Sequence, residues 1–291
     1  MGAPLAYRRW EDRGLGSART GSPLPAKRRD LVGRVTMISV ALLARDEERH
    51  IGEAIRSARP IAVEVVVLLD PRSTDHTAEI ARAAGATVYE ETFRSHSAQR
   101  NRALALCRYP WVLFLDADER LTPELAAEMA SLDLLASPYA GYSMPRYNLY
   151  WGRRLLGGGW YPDRQLRLLR RSSARYDERR LIHELAELDG AAGELAGHLL
   201  HINIESLHEL RQKQYDYALK EAQTLWGQGL RARPHNLLLQ PLREVKRRFW
   251  SWQGYQDGAL GLFLALAMGY YEAVKYAQLR ALGHSIPLQR D

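Results

Sequence analysis

Asp116 and Asp118, separated by a single alanine, follow the apolar run Trp111-Val112-Leu113-Phe114-Leu115. If a strand continues through them, alternation puts both carboxylates on one side. Carboxylates aimed at one point repel unless a proton or cation lies between them. A hard divalent ion, Mg2+ or Mn2+, takes oxygen ligands and shares them readily with phosphates. The spacing therefore points to a metal–diphosphate site. The same residues also suit a solvated acidic turn ahead of a helix opened by Thr122-Pro123, a capping residue followed by proline at the first helical position.

Other polar residues stand in corresponding places. Asp46 and Glu47 follow the β-rich segment 35–43, and Asp70 follows segment 63–69. Asp70 is placed to accept hydrogen bonds from a base or ribose. Ser73 and Thr74 fit turn-making, and Asp75 fits capping of the next helix. Arg100-Asn101 lies near the start of the helix before the acidic strand. Arg100 can balance phosphate or pocket carboxylates, or sit as an exposed helix charge; Asn101 can fix a loop.

The elements that must position these residues alternate. Strand patterns at 35–43, 63–69, 87–89 and 111–115 are separated by helical patterns at 51–58, 77–84 and 97–107. That grammar predicts an α/β fold, a mostly parallel sheet flanked by helices. Such sheets bind ligands beyond the carboxyl ends of their strands. No GxxxxGK[ST] motif follows a strand, which excludes a P-loop ATPase or GTPase. No GxGxxG turn follows the first strand, which argues against a Rossmann dehydrogenase. Residues 139–180 read as loops and short strands around a binding surface. Helical patterning resumes at 204 and runs to about 282, with a break near 254–258. Three regions follow: a mobile basic tail at 1–34, a catalytic domain at 35–203 and a helical region at 204–291.

The formal net charge is +7, from 41 basic and 34 acidic residues, which favours anionic partners. No nucleic-acid reading module is present, so nucleic acid is not expected. Cys107 is the only cysteine, so an intramolecular disulfide and a thiolate cluster are both excluded. It reads as a small core residue. No long apolar run follows Met1, so no secretory leader is expected. The stretch 259–268 is short of the ~20 residues a spanning helix needs. Leu239, Leu242, Val245, Phe249 and Trp252 form an apolar helical stripe with Arg243, Lys246, Arg247 and Arg248 between its members. That composition suits an anionic membrane surface, or packing on the catalytic domain or another subunit. The expected location is cytoplasmic, free or at the cytoplasmic face of the inner membrane. The basic run Arg164, Arg167, Arg170, Arg171, Arg175, Arg179 and Arg180 suits an acceptor or phosphate groove, or a solvated face.

Four segments in order resemble the family 2 glycosyltransferases of the GT-A fold: LLARDEERHIGEAIRS, VVVLLDPRSTDHTAEIA, AQRNRAL and WVLFLDADERLTPEL. Asp46 stands where the family often has Asn. GGGWYPDRQLRLLRR, RRLIHELAE and HLLHINIESLHELRQKQYDYA extend the likeness toward bacterial enzymes that build lipopolysaccharide core or related surface glycans. The resemblance implies a nucleotide-sugar donor, usually UDP-linked, and a glycan or lipid-linked acceptor. It places Asp46, Glu47 and Arg100 around the nucleotide, Asp70 at the base, Asp116 at the ribose and Asp118 on the metal. His201 becomes a later metal ligand, with His198 the less favoured choice. The family often carries its base in a Glu-Asp or Asp-Asp pair; this chain has His183-Glu184, which resembles the His-Glu variant of the core-glycan group. Glu184 is then the base of an inverting transfer, and His183 orients it, contacts diphosphate or fills a polar gap. Two other classes remain open: a metal-dependent nucleotidyltransferase, which would release pyrophosphate, and a non-enzymatic nucleotide- or glycan-binding protein. A basic RNA-binding protein would instead show salt-sensitive RNA affinity and no sugar turnover.

Overall fold

The computed structural model describes residues 37–179 and 186–284. The basic segment 1–34, Arg180 and the His183-Glu184 pair lie outside the described residues. The first half alternates as expected: β1 (Ile38–Ala44), α1 (Ile51–Ala58), β2 (Ala62–Leu69), α2 (Thr77–Ala83), β3 (Thr87–Glu90), α3 (His96–Leu106) and β4 (Trp111–Phe114). These strands lie in the order β3-β2-β1-β4 and are all parallel. β1 and β4 are almost wholly buried, which is why their sequences are continuous apolar runs rather than alternating ones. Helix α1 packs Ile51, Ala54, Ile55 and Ala58 into the core, spaced as one helical face.

The remainder of the sheet is mixed. β5 (Glu119–Leu121) and α4 (Pro123–Ser131) follow the acidic turn. Thr122 caps α4, accepting a hydrogen bond from the Leu125 amide at 3.2 Å, with Pro123 at the first helical position. Then come β6 (Gly141–Tyr150), β7 (Arg153–Arg154), β8 (Asp163–Arg170), β9 (Ala174–Tyr176), β10 (Ala186–Leu188), β11 (Ala192–Glu194) and β12 (Leu199–Ile204). β8 runs antiparallel between β4 and β6, and β12 joins β6 in parallel and β5 in antiparallel pairing. Segment 139–180 is therefore not mainly loop. It supplies two central strands, of ten and eight residues. β6 carries Pro145 together with Ser143, Arg146 and Asn148, which hides its strand character from a propensity reading.

Helix α5 (Leu207–Gly227) is capped by Ser206, which accepts from the Glu209 amide, while Glu209 accepts from the Glu205 amide one residue further out. Helix α6 (Asn236–Lys246) and helix α7 (Gly258–His284) pack together, and the chain between them breaks as the glycines predict. The Gly157–Gly159 triplet receives this corner. Gly159 has φ +85°, and a Cβ there would stand 2.4 Å from the Trp252 ring. Buried Asp257 accepts from the amides of Leu156 and Gly157 at 2.7 and 3.0 Å. The triplet is thus a docking surface for the α6–α7 corner. Among the described residues no helix is long and apolar enough to cross a membrane.

Candidate active site

The β4 strand ends at Phe114, so strand alternation does not carry the two aspartates. A turn at Ala117-Asp118 delivers them instead, and both line one cavity of about 740 Å3. Glu47 enters from the β1 exit, Arg100 and His96 from α3, and Arg146 from β6. His201 and Asn203 come from β12; Lys213, Gln214 and Tyr217 of α5 with Arg248 form the helical wall.

The aspartates have different partners. Asp116 pairs with Arg167, and with Arg100 at 3.4 Å. Arg167 is buried and also bonds Glu119, a fully buried carboxylate, at 2.9 Å. Arg146 reaches the same Glu119 oxygen at 2.7 Å and Asp163 at 2.7 Å. Burial raises the Asp116 carboxyl, but Arg167 and Arg100 outweigh it and hold the group far below the usual carboxylate range. Arg100 is itself seated over the Phe114 ring at 5.1 Å. Arg167 occupies a β-bulge: Tyr142 pairs with Leu168 and Ser143 with Leu166, leaving the arginine over. A bulge re-aims a side chain beside a site.

Asp118 has a different neighbour. Its Oδ2 lies 3.2 Å from Nε2 of His201, whose Nδ1 lies 2.7 Å from Oδ1 of Asn148. Burial raises the Asp118 carboxyl, and the neighbouring His201 more than offsets it. Glu47 lies in the field of both aspartates. Desolvation, then Asp118, Asp75, Asp116 and Asp46, push its carboxyl up to about 7.

The other sequence candidates are placed as follows. Asp46, at φ +55°, ties the first two loops together: its Oδ1 accepts from the Thr74 amide at 2.8 Å and its amide donates to Ser73 at 2.9 Å. Asp70 does not line the cavity; Arg72 holds its carboxyl by three side-chain bonds of 2.6 to 3.1 Å and lowers it to about 2. Asn101 pins Tyr176 at the edge of β9 with two bonds of 2.8 Å. His198 lines a separate cavity of about 430 Å3 and stacks on Tyr147 at 4.1 Å, away from Asp118. Of the basic run, none of the described arginines lines the main cavity. Arg170 packs over Trp111, Arg171 donates to Cys107 O, and Arg175 and Arg179 pair with Glu187 and Asp177. Sequence reasoning missed Arg146, Glu119, Asn148 and Lys213; for Arg146 and Asn148 the only signal is that a long strand, once recognised, faces its even positions toward the acidic turn.

Among the described residues no group of three or more acidic, histidine or cysteine side chains converges as a ready metal cage. Asp118 and His201 nonetheless fit two adjacent positions of one ion. Two ligands at about 2.1 Å and a right angle lie about 3.0 Å apart, close to the 3.2 Å between their donor atoms. A substrate diphosphate and water would complete the shell.

Residues 39–177 match the family described as Glycosyl transferase family 2. The chain carries a family 2 glycosyltransferase domain. The matched segment begins in β1 and ends just past β9, so it contains the acidic turn and the Arg167 network. Over 259 residues the chain is 28% identical to the lipopolysaccharide core biosynthesis glycosyltransferase LpsC of Rhizobium meliloti, covering 84% of this chain and 93% of that protein. It is 35% identical to an uncharacterized glycosyltransferase of Rickettsia typhi over 39% of this chain and 36% of that one. Among solved structures, a Pyrobaculum calidifontis mannosyltransferase in complex with GDP-Man and Mn2+ is 15% identical, covering 85% of this chain and 87% of that chain, at TM-score 0.47. Glucosyl-3-phosphoglycerate synthase from Mycobacterium tuberculosis is 25% identical over 38% of this chain and 43% of that chain, at TM-score 0.30. The GT-A-like fold of the glycosyltransferase domain, a mixed sheet flanked by helices with further helices after it, is as the motifs imply.

Proposed function

We propose that this protein moves a sugar from a nucleotide-sugar donor, UDP-linked in the first instance, to a hydroxyl of a glycan or lipid-linked acceptor such as lipopolysaccharide core, with inversion at the sugar carbon. One observation carries the reading: Asp118 and His201 present a carboxylate oxygen and a ring nitrogen 3.2 Å apart to the main cavity of a family 2 glycosyltransferase domain. The two residues would hold a divalent cation. An imidazole in the set favours Mn2+ over Mg2+, whose ligands are oxygens. When bound, the cation supplies charge neutralisation for the departing nucleoside diphosphate. Arg100 of α3 and Lys213 of α5 add fixed positive charge in the same cavity.

An acceptor hydroxyl is a poor nucleophile and needs a base in reach. We assign that role to Glu184, with His183 beside it. Glu184→Gln should lower transfer by about 10^2- to 10^4-fold while donor binding persists; full turnover in that variant would remove Glu184 from the role. The founding test is a nucleotide-sugar panel with Mn2+ and with Mg2+, read by product mass and released nucleotide. Release of pyrophosphate instead of nucleoside diphosphate would overturn the assignment.

The C-terminal helices favour a peripheral meeting with anionic lipid. Leu262, Leu266 and Tyr270 form an exposed stripe on α7, and Leu238 and Leu242 are exposed on α6 beside exposed Arg243 and Lys246. Arg247 and Arg248 do not join this surface: both pair with buried Glu244, and Arg248 also donates to Gly158 O at 2.8 Å. Sedimentation with anionic liposomes tests it; absence of binding at low salt would count against lipid contact.

A further inference from the structure

Asn148 lies on β6, directly opposite His201 of β12 in the parallel register, and is 4% exposed. Its amide nitrogen donates to Trp160 O at 2.8 Å and to Asp163 Oδ2 at 3.1 Å. Both partners accept only: one is a backbone carbonyl, and the other is a carboxylate paired with Arg146 at 2.7 Å. Exchanging the amide's N and O would set an oxygen against two oxygens, so the orientation is fixed. The Asn148 oxygen therefore faces His201 Nδ1 at 2.7 Å, with the Asn203 amide approaching it from the side at 3.3 Å. An oxygen without a proton in that place requires Nδ1 to carry one.

A neutral imidazole has one N–H and one lone pair. With its proton on Nδ1, the ring turns the Nε2 lone pair toward Asp118 Oδ2, 3.2 Å away. Two electron pairs then face each other across a gap that a cation fills.

We propose that Asn148 is a positioning residue that holds His201 in the Nδ1–H tautomer and so makes Nε2 a ligand of the Asp118 cation site. The Trp160 and Asp163 bonds act through it, so the tautomer is set from outside the cavity. A partner on the far ring nitrogen also orients a ligating histidine and raises its basicity. The inference rests on the reading of Asp118 and His201 as the cation site, and the two fail separately.

Nitrogen-15 correlation spectra of the metal-free wild-type protein, recorded at a pH alkaline enough to leave the ring neutral and with His201 assigned by comparison with His201→Gln, report the tautomer without any cation. The expected signal is a protonated Nδ1 and a bare Nε2; a protonated Nε2 with bare Nδ1 overturns the proposal. Mn2+ titration in the presence of UDP then separates the variants. Asn148→Leu should weaken Mn2+ binding by about 10- to 100-fold. Asn148→Asp, which restores an acceptor at Nδ1, should recover part of that loss. Wild-type affinity in a folded Asn148→Leu protein overturns the positioning role. Wild-type affinity in Asp118→Asn instead overturns the site on which it rests.

Discussion

The two halves of one acidic turn show how differently the same residue type is used. On one side Asp116, Arg167, Glu119, Arg146 and Asp163 form a continuous ionic cluster, with Glu119 wholly buried and Arg167 nearly so. On the other, Asp118 has His201 as its neighbour and an open cavity in front of it. Both aspartates line the same cavity, but Asp116 has its charge matched by Arg167 and Arg100, whereas Asp118, beside His201, keeps a coordination position for a cation. A two-residue spacing is thus compatible with two separate tasks. Partners divide them, because the guanidinium of the buried Arg167 neutralises a carboxylate at contact distance.

That division has consequences of graded size. The largest falls on the ionic side. Arg167→Met leaves Glu119 buried without one of its two cations and removes the main partner of Asp116. Breaking one member of such a pair typically costs about 3–5 kcal/mol, which urea unfolding would read, whereas Asp118→Asn should change stability little. Equal stability losses in the two variants would erase the distinction. The order reverses for turnover. Asp118→Asn should lower transfer by about 10^2- to 10^3-fold, the loss typical of removing one element that stabilises developing charge, in a protein that melts normally.

A smaller effect concerns Glu47, whose carboxyl is pushed up to about 7 by desolvation and then by Asp118 and its other acidic neighbours. Its folded-state value lies above the ordinary 4.5, so the folded protein holds the proton more tightly than the unfolded chain. The stabilisation is complete below pH 4.5 and is lost as pH rises toward about 7. Asp118→Asn removes the second-largest cause, so stability in metal-free buffer should fall less steeply across that window. An unchanged slope would mean that the two carboxylates do not share a field. Smallest is the behaviour of Cys107, buried against β1 and β4, whose thiol burial pushes up to about 12. Native protein should resist thiol reagents near neutral pH and react on unfolding; rapid native labelling would contradict its burial.

Much of the parallel half was legible in the chain. Runs such as Val65–Leu69 and Trp111–Leu115 are apolar throughout because both faces of those strands are covered, and helix α1 advertises one face by spacing. The Arg100–Asp116 contact and the acidic turn were each one of two alternatives the residues offered, and Asn101 holds the edge of β9 rather than a loop. β6 and β8 were not. GYSMPRYNLY looks like a loop because its polar side chains are destined for a buried network that only neighbouring strands create. Arg167 was hidden for a second reason. A bulge shifts its register, and counting by twos cannot anticipate an inserted residue. Asn148 carries no motif at all; its importance arises from lying across a strand pair from His201.

The most direct test is calorimetric titration of Mn2+ into the UDP-saturated protein, compared with Asp116→Asn, Asp118→Asn and His201→Ala. Asp118→Asn and His201→Ala should each lose Mn2+ binding, while any folded Asp116→Asn protein should retain it. Retained Mn2+ binding in both Asp118→Asn and His201→Ala would contradict the account.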